Sequence, residues 1–259
     1  VRLIFSRNRP AQLDLLLRSI DIHVPAARTA VIWTGNSDYG RGYKTVMAEH
    51  PQVTWVHDPF NDALRGILYG TRDETVTFFC DDDIVYRRTM SDDEIANLLD
   101  ERDDTLCVSL RLGSENANMP LPEDWCPWWN WVALERHDFG FPASVDGHAF
   151  RVSDVLEMIG EDEIPNPTML ETVMAMRVEQ LFAERRPLMC SYYKQRLVGV
   201  PVNRVSRSSG VVNGERFPQP AEELNRRFLA GERICLEKLD FTEVAGCHHE
   251  IPFVWETRP

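Results

Sequence analysis

Apolar positions fall in short blocks separated by turn formers, and the spacing inside each block predicts its element. Val1-Arg2-Leu3-Ile4-Phe5 reads as a strand. The polar turn Ser6-Arg7-Asn8-Arg9-Pro10 follows, with Pro10 suited to open a helix, and Leu13, Leu16, Leu17 and Ile20 then recur at helical spacing. Residues 30–33 predict a second strand, ending in the turn formers Thr34-Gly35-Asn36-Ser37-Asp38. A helix over 43–49, a strand over 53–56 and a helix over 62–70 come next. Thr75-Val76-Thr77-Phe78-Phe79-Cys80 is uncharged and rich in β-branched and aromatic residues, so it reads as a buried strand. Such alternation predicts an α/β fold with a mostly parallel sheet and helices on both faces. Ligands bind at the carboxyl ends of strands in such sheets, so turn 6–10, loop 34–38 and the residues after Cys80 are expected on one edge.

The second half is less regular. Residues 91–102 predict a helix N-capped by Ser91, with acidic residues in its first turn. A strand is expected over 106–110, then a loop over 120–131 holding Trp125, Trp128, Trp129 and Trp131. Helices are predicted over 150–159, 168–186 and 220–230, a strand over 197–200 and a polar loop over 206–214. Cys247-His248-His249-Glu250 precedes a last strand. No repeat, linker or low-complexity stretch interrupts the 259 residues, so one compact domain is expected over 1–259.

Composition narrows the class. With 43% hydrophobic residues a sizeable core can form. The net charge of -13 lacks the basic footprint of non-specific nucleic-acid binding, so no nucleic-acid partner is expected. The six cysteines form no CxxC pair and read as reduced thiols. No segment approaches the ~18 consecutive apolar residues of a membrane span, and the first apolar run is too short for a signal peptide. The chain opens on Val1 without an initiator methionine, which leaves room for residues upstream. These features predict a cytoplasmic, soluble protein.

The candidate chemistry begins at Asp81-Asp82-Asp83, directly after the buried strand. Clustered carboxylates repel one another, and a divalent cation is their natural partner. Haloacid-dehalogenase-like phosphatases place an aspartate after the first strand, but the first strand here ends in Ser6-Arg7-Asn8.

Four stretches together resemble the GT-A nucleotide-sugar glycosyltransferases: Ser6-Arg7-Asn8-Arg9-Pro10 with Gln12-Leu13, Asp81-Asp82-Asp83, Asp146-Gly147-His148-Ala149-Phe150-Arg151, and Asn166-Pro167-Thr168-Met169-Leu170-Glu171. The resemblance implies a GT-A-like, Rossmann-like single domain, with residues 1–86 as its nucleotide-binding half and 87–259 as its acceptor side. It implies that Ser6, Arg7, Asn8 and Arg9 meet the base and ribose, joined by Asp81 and Asp82 of a DXD motif. Asp83 and Asp81 would hold Mn²⁺ or Mg²⁺, with His248 preferred to His249 as a third ligand. Asp146, Gly147 and His148 would lie near the donor sugar and acceptor, and Glu171 would be the catalytic residue, a general base if the enzyme inverts and a group that orients the donor or stabilises charge if it retains. Most members carry aspartate there, usually after a glutamate, and this chain departs with Leu170-Glu171. The implied partners are a nucleotide-diphosphate sugar and a carbohydrate or other hydroxyl acceptor.

Arginine binds diphosphate through a planar fork, which adds Arg65 to Arg7 and Arg9 as nucleotide-binding candidates. Aromatic faces stack on sugars, so Trp128, Trp129 or Trp131 line an acceptor subsite or else pack the core. Two other functions remain open at this level. A nucleotidyltransferase usually opens with a glycine-rich loop, and turn 6–10 has no glycine. A non-catalytic sugar- or metal-binding module is the other.

Overall fold

The structure is a computed structural model, and it describes residues 1–57, 59–114, 116, 128–134, 137–205 and 215–259. Its first half runs β1 (Arg2–Arg7), α1 (Pro10–His23), β2 (Thr29–Thr34), α2 (Ser37–Glu49), β3 (Thr54–His57), α3 (Phe60–Gly70) and β4 (Thr75–Cys80). The second half continues with β5 (Asp83–Val85), α4 (Asp92–Glu101), β6 (Thr105–Ser109), β7 (Trp128–Asn130), β8 (His148–Arg151), α5 (Val152–Ile159) and α6 (Pro167–Phe182). It closes with β9 (Leu188–Ser191), β10 (Leu197–Gly199), α7 (Ala221–Leu229), β11 (Glu232–Ile234) and β12 (Trp255–Thr257).

Eight strands form the central sheet in the order β3-β2-β1-β4-β8-β6-β9-β7. β1 pairs in parallel with β2 and β4, β2 with β3, and β6 with β9. Only β8 and β7 run against the others, so the sheet is mostly parallel as expected. Alternation along β1 explains its two-sided burial. Leu3 and Phe5 enter the core under α3, α5 and α6, while Ile4 packs on the opposite face with residues of α1, α2 and α7. The α/β expectation holds.

Local signals set the helix starts. Pro10 and Pro167 occupy first-turn positions of α1 and α6, and the Asn166 side chain accepts from Met169 N–H. Ser91 and Glu94 form a reciprocal capping box on α4. Asn36 caps α2 through Asp38 N–H, so that helix begins at Ser37, six residues before its predicted start. Tertiary pairing overrides the helical reading at 150–151: β8 is held between β4 and β6 in antiparallel register, and α5 begins only at Val152. The tryptophan loop is partly strand, because residues 128–130 pair with β9. Trp125 and the 206–214 loop lie outside the described residues. No helix among the described residues is long and apolar enough to cross a membrane, and the five described cysteines are unpaired.

Candidate functional site

The carboxyl ends of β1 and β4 lie side by side, and a buried polar cluster forms between them. Asn8 turns the chain at φ 55°, a left-handed conformation that asparagine tolerates, while its Oδ1 accepts from Asn36 N–H. This turn aims Arg9 back into the protein. Arg9 Nη1 lies 2.9 Å from Asp81 Oδ1 and 3.0 Å from Asp82 Oδ2, and Nε donates to Asn203 Oδ1 at 2.8 Å. Asp81 Oδ2 accepts from Ser6 Oγ and from Arg7 N–H, both at 2.9 Å. Tyr43 OH stands 2.8 Å from Ser6 Oγ. Burial pushes Asp81 up to about 6 although Arg9 pulls against it. Asp81 is therefore engaged at both oxygens by protein donors. The ion it meets here is Arg9. Asp82 keeps a half-buried side chain and Arg7 an exposed one at the same edge.

A second cluster begins two residues later. The chain leaves the central sheet after Cys80, and Asp83 opens β5, which pairs antiparallel with β10 in the register Asp83↔Gly199. Gly199 in turn bridges His248, with Gly199 N–H donating to Cys247 O and His249 N–H to Gly199 O, both at 2.9 Å. A Cβ on Gly199 would stand 2.7 Å from His248 Cδ2, so only glycine leaves room for that ring. The backbone thus lines up Asp83, Gly199 and His248, and His248 Nε2 lies 3.7 Å from Asp146 Oδ2. Asp83 is buried and accepts from Cys80 N–H at 2.9 Å. Burial first, then the Asp146 and Asp82 charges, push its carboxyl well above the usual range. Burial also presses on Asp146, but His248 and Arg111 outweigh it and hold that carboxyl low.

Glu171 enters from the first turns of α6. Its Oε1 faces Val145 N–H at 3.4 Å, one residue from Asp146. Burial, reinforced by the Asp146 charge and opposed by Arg111, pushes Glu171 up to about 7. Gly147, at φ 69°, turns the chain out of this site into β8; its N–H donates to Phe78 O at 2.8 Å.

Several expected residues are placed elsewhere. His148 is 1% exposed, with Nδ1 3.2 Å from Pro142 O, and burial pushes it down to about 4. A ring sealed inside the sheet cannot touch a sugar, which corrects its expected role. Arg65 joins α3 to the chain after α5, donating to Gly160 O at 2.9 Å and to Asp162 O at 2.5 Å, so its guanidinium is not brought to the aspartates. Trp128 and Trp129 sit on β7, the outer strand of the sheet. Trp128 lies under the Arg102 guanidinium at 5.1 Å. Trp129 and Trp131 are buried and donate to Phe139 O at 2.7 Å and Arg186 O at 2.9 Å. Trp129 and Trp131 therefore take the core-packing alternative, which corrects the sugar-stacking role of Trp129, while Trp128 stays half-buried.

Sequence reasoning missed Arg111, Tyr43 and Asn203. Arg111 had a readable signal: it is a lone charge between buried Leu110 and Leu112, immediately after a predicted strand. Tyr43 and Asn203 had none, because their partners are set only by the fold.

The donor set fits a divalent cation in part. Carboxylate and imidazole suit Mn²⁺, and Asp83 and His248 stand on one backbone ladder beside Asp146. Asp81 stands in the neighbouring cluster, paired with Arg9. The tightest three-ligand grouping among the described residues lies elsewhere, at Cys235, Glu237 and Glu256. There Arg233 already neutralises Glu256 at 2.7 Å.

No protein-family model matches the sequence, and no curated protein does. Similarity to solved structures is clear in shape and weak in sequence. The structure of S. aureus TarS aligns with a TM-score of 0.52 at 12% identity, over 78% of this chain and 36% of that one. TarS residues 1–349 in complex with UDP-GlcNAc give 0.50 at 12% identity, over 82% of this chain and 61% of that one. The chain therefore spans about a third of TarS and under two thirds of that shorter form. A Leptospira borgpetersenii cytidylyltransferase reaches only 0.46 at 12% identity, over 75% of this chain and 76% of that one. The mannosyltransferase PcManGT of Pyrobaculum calidifontis, in complex with GDP-Man and Mn²⁺, reaches 0.41 at 14%, over 74% and 54%. The eight-stranded, mostly parallel sheet flanked by helices is a GT-A-like fold, shared with TarS.

Proposed function

We propose that this chain is a metal-dependent glycosyltransferase, moving a sugar from a nucleotide-diphosphate sugar to an acceptor hydroxyl within one domain. The observation that carries the reading is the meeting of Asp83, Asp146, His248 and Glu171 at the carboxyl edge of a GT-A-like sheet, with Glu171 poised near neutral pH. The similarity in shape to TarS solved with UDP-GlcNAc supports a nucleotide-sugar donor.

Asp83 and His248 would hold Mn²⁺ or Mg²⁺, which when bound neutralises the diphosphate and stabilises the charge on the leaving nucleotide. Ser6, Arg7 and Asn8 border the place for base and ribose, and Asp82 presents its half-buried carboxylate there. Asp146 steadies the His248 ring and faces the donor sugar. In an inverting reaction Glu171 takes the proton from the acceptor hydroxyl, for which a carboxyl at about 7 is well matched. In a retaining reaction it steadies the donor.

A thermal-shift screen of UDP, GDP, CMP and dTDP, each with and without Mn²⁺, tests this. A ligand that binds only the folded state raises the melting temperature by mass action. Stabilisation by one diphosphate that depends on Mn²⁺ is the expected result. A folded protein that answers none of them refutes the reading.

A further inference from the structure

Arg111 stands at the centre of the second cluster without belonging to any stretch that suggested a function. It follows β6 and is buried, so each N–H of its guanidinium left unanswered would carry a desolvation cost. Nη1 donates to Ser144 Oγ at 2.9 Å and to Asp146 Oδ2 at 3.3 Å, and Nη2 reaches Asp138 Oδ1 at 3.5 Å. Its main chain is held as well. Arg111 O accepts from Asn116 Nδ2 at 3.4 Å and from Cys247 Sγ at 3.7 Å, and Cys247 directly precedes His248. One residue therefore ties together the 144–146 turn, the turn at Asp138 and the segment that delivers His248. Trp129 secures the Asp138 turn from behind, through its bond to Phe139 O.

We propose that Arg111 is a positioning residue: its buried fork on Ser144 and Asp146 fixes the 144–146 turn, and that turn sets the Glu171 carboxylate for reaction. This rests on the reading of Glu171 as the reacting carboxyl. The link from fork to carboxylate is short. Val145 N–H, on the turn that the fork holds, faces Glu171 Oε1 at 3.4 Å. The charged and titratable groups that face Glu171 are Asp146, on the same turn, and Arg111, at the end of β6. They act in opposite senses, Asp146 disfavouring the ionised form and Arg111 favouring it. Planarity matters here, because a lysine ammonium is a point charge and cannot bridge a hydroxyl and a carboxylate as a fork does.

The test reads Glu171 directly and needs no substrate. Protein labelled with glutamate carrying ¹³C at the carboxyl carbon is titrated by NMR, and the Glu171 signal is the one lost in E171Q. In R111M the midpoint is expected to rise by roughly one pH unit, since a nearby positive charge is gone. In S144A, which keeps Arg111 and removes the hydroxyl it grips, the midpoint is expected to rise by less. A merely structural role would lower the melting temperature without moving either midpoint. Unmoved midpoints in folded R111M and S144A overturn the proposal, and if R111M does not fold, S144A alone decides. The wild-type midpoint tests the other reading separately. A value near the ordinary ~4.3 of glutamate would refute the reading of Glu171 as a carboxyl tuned to neutral pH, while upward shifts in the variants would still support Arg111.

Discussion

Asp81 and Asp83 stand two residues apart, and both are nearly fully buried, yet they belong to different regions of the molecule. Asp81 closes the first-loop cluster, where Arg9, Ser6 and the Arg7 N–H answer its oxygens. Asp83 opens the second cluster, facing the like charges of Asp146 and Asp82 with one backbone N–H from Cys80. The chain makes this division by leaving the central sheet between them, so that Asp81 stays beside β1 while Asp83 joins β10. A run of three carboxylates is thus two devices. One is an internal ion pair beside the first loop, and the other is a buried carboxyl pressed by its like-charged neighbours, which is the proposed cation site. If the division is right, substitutions at the two positions have effects of different kinds.

The largest expected effect is at the second cluster. Asp83→Ala removes a ligand from the proposed metal site and should abolish the Mn²⁺-dependent rise in melting temperature with nucleotide. Turnover should fall roughly 10³-fold, since the metal supplies several kcal/mol of charge stabilisation. Nucleotide binding unchanged from wild type would dissolve the distinction between the two aspartates.

Next comes the first cluster. Arg9→Met leaves Asp81 buried without its guanidinium partner, and breaking a buried pair from one side costs about 3–5 kcal/mol. A chain of this size should lose roughly 10 °C in melting temperature, with or without Mn²⁺. A loss seen only in the presence of metal and nucleotide would mean that Arg9 serves the ligand instead of the fold.

Glu171 sharpens the comparison through pH. A general base must be ionised, so transfer should climb as pH rises through about 7 and fall away below it. Glu171→Gln should remove that limb and reduce kcat by about 10²–10⁴-fold. An acid limb that survives in Glu171→Gln would place the base elsewhere.

These contrasts show what the sequence could and could not announce. β4 was legible because an uncharged β-branched run has few alternatives. Glu171 was placed on a helix start correctly because Asn166 and Pro167 are local signals. The division between Asp81 and Asp83 was not legible, since it depends on Arg9 reaching Asn203, 194 positions away in the chain. Arg111 likewise finds Ser144 and Asp146 at separations of 33 and 35 residues. Phe150 and Arg151 were read as helix because the residues of β8 owe their state to the strands on either side.

A conservative change separates the two carboxylates further. Asp83→Asn keeps the shape and removes a buried carboxyl that faces the Asp146 and Asp82 charges, against which Arg111 pulls. In the absence of metal it should stabilise the protein by about 1–2 kcal/mol, a few degrees in melting temperature. The sign follows from a carboxyl raised in the folded state. Ionising it costs stability above the unfolded pKa of ~3.9, so the gain in the variant is present at neutral pH and fades as pH falls below about 4. A lower melting temperature at pH 7 would mean that Asp83 already has a cationic partner in the empty protein.

The smallest expected effect isolates how the backbone delivers His248. Gly199 pairs with Asp83 on one side and bridges His248 on the other, and a methyl group there would stand 2.7 Å from the imidazole. The methyl of Gly199→Ala would press on the His248 ring, 2.7 Å from Cδ2 and 3.3 Å from Nε2, so the ring must shift. A residue that orients a metal ligand typically changes metal affinity by 10–100-fold, and this one should lie at the low end, because a ring can shift more easily than a backbone. Titrating Mn²⁺ against the variant in the presence of the responding nucleotide measures it. Unaltered affinity would show that His248 does not reach the cation, leaving Asp83 as the ligand on the protein's side.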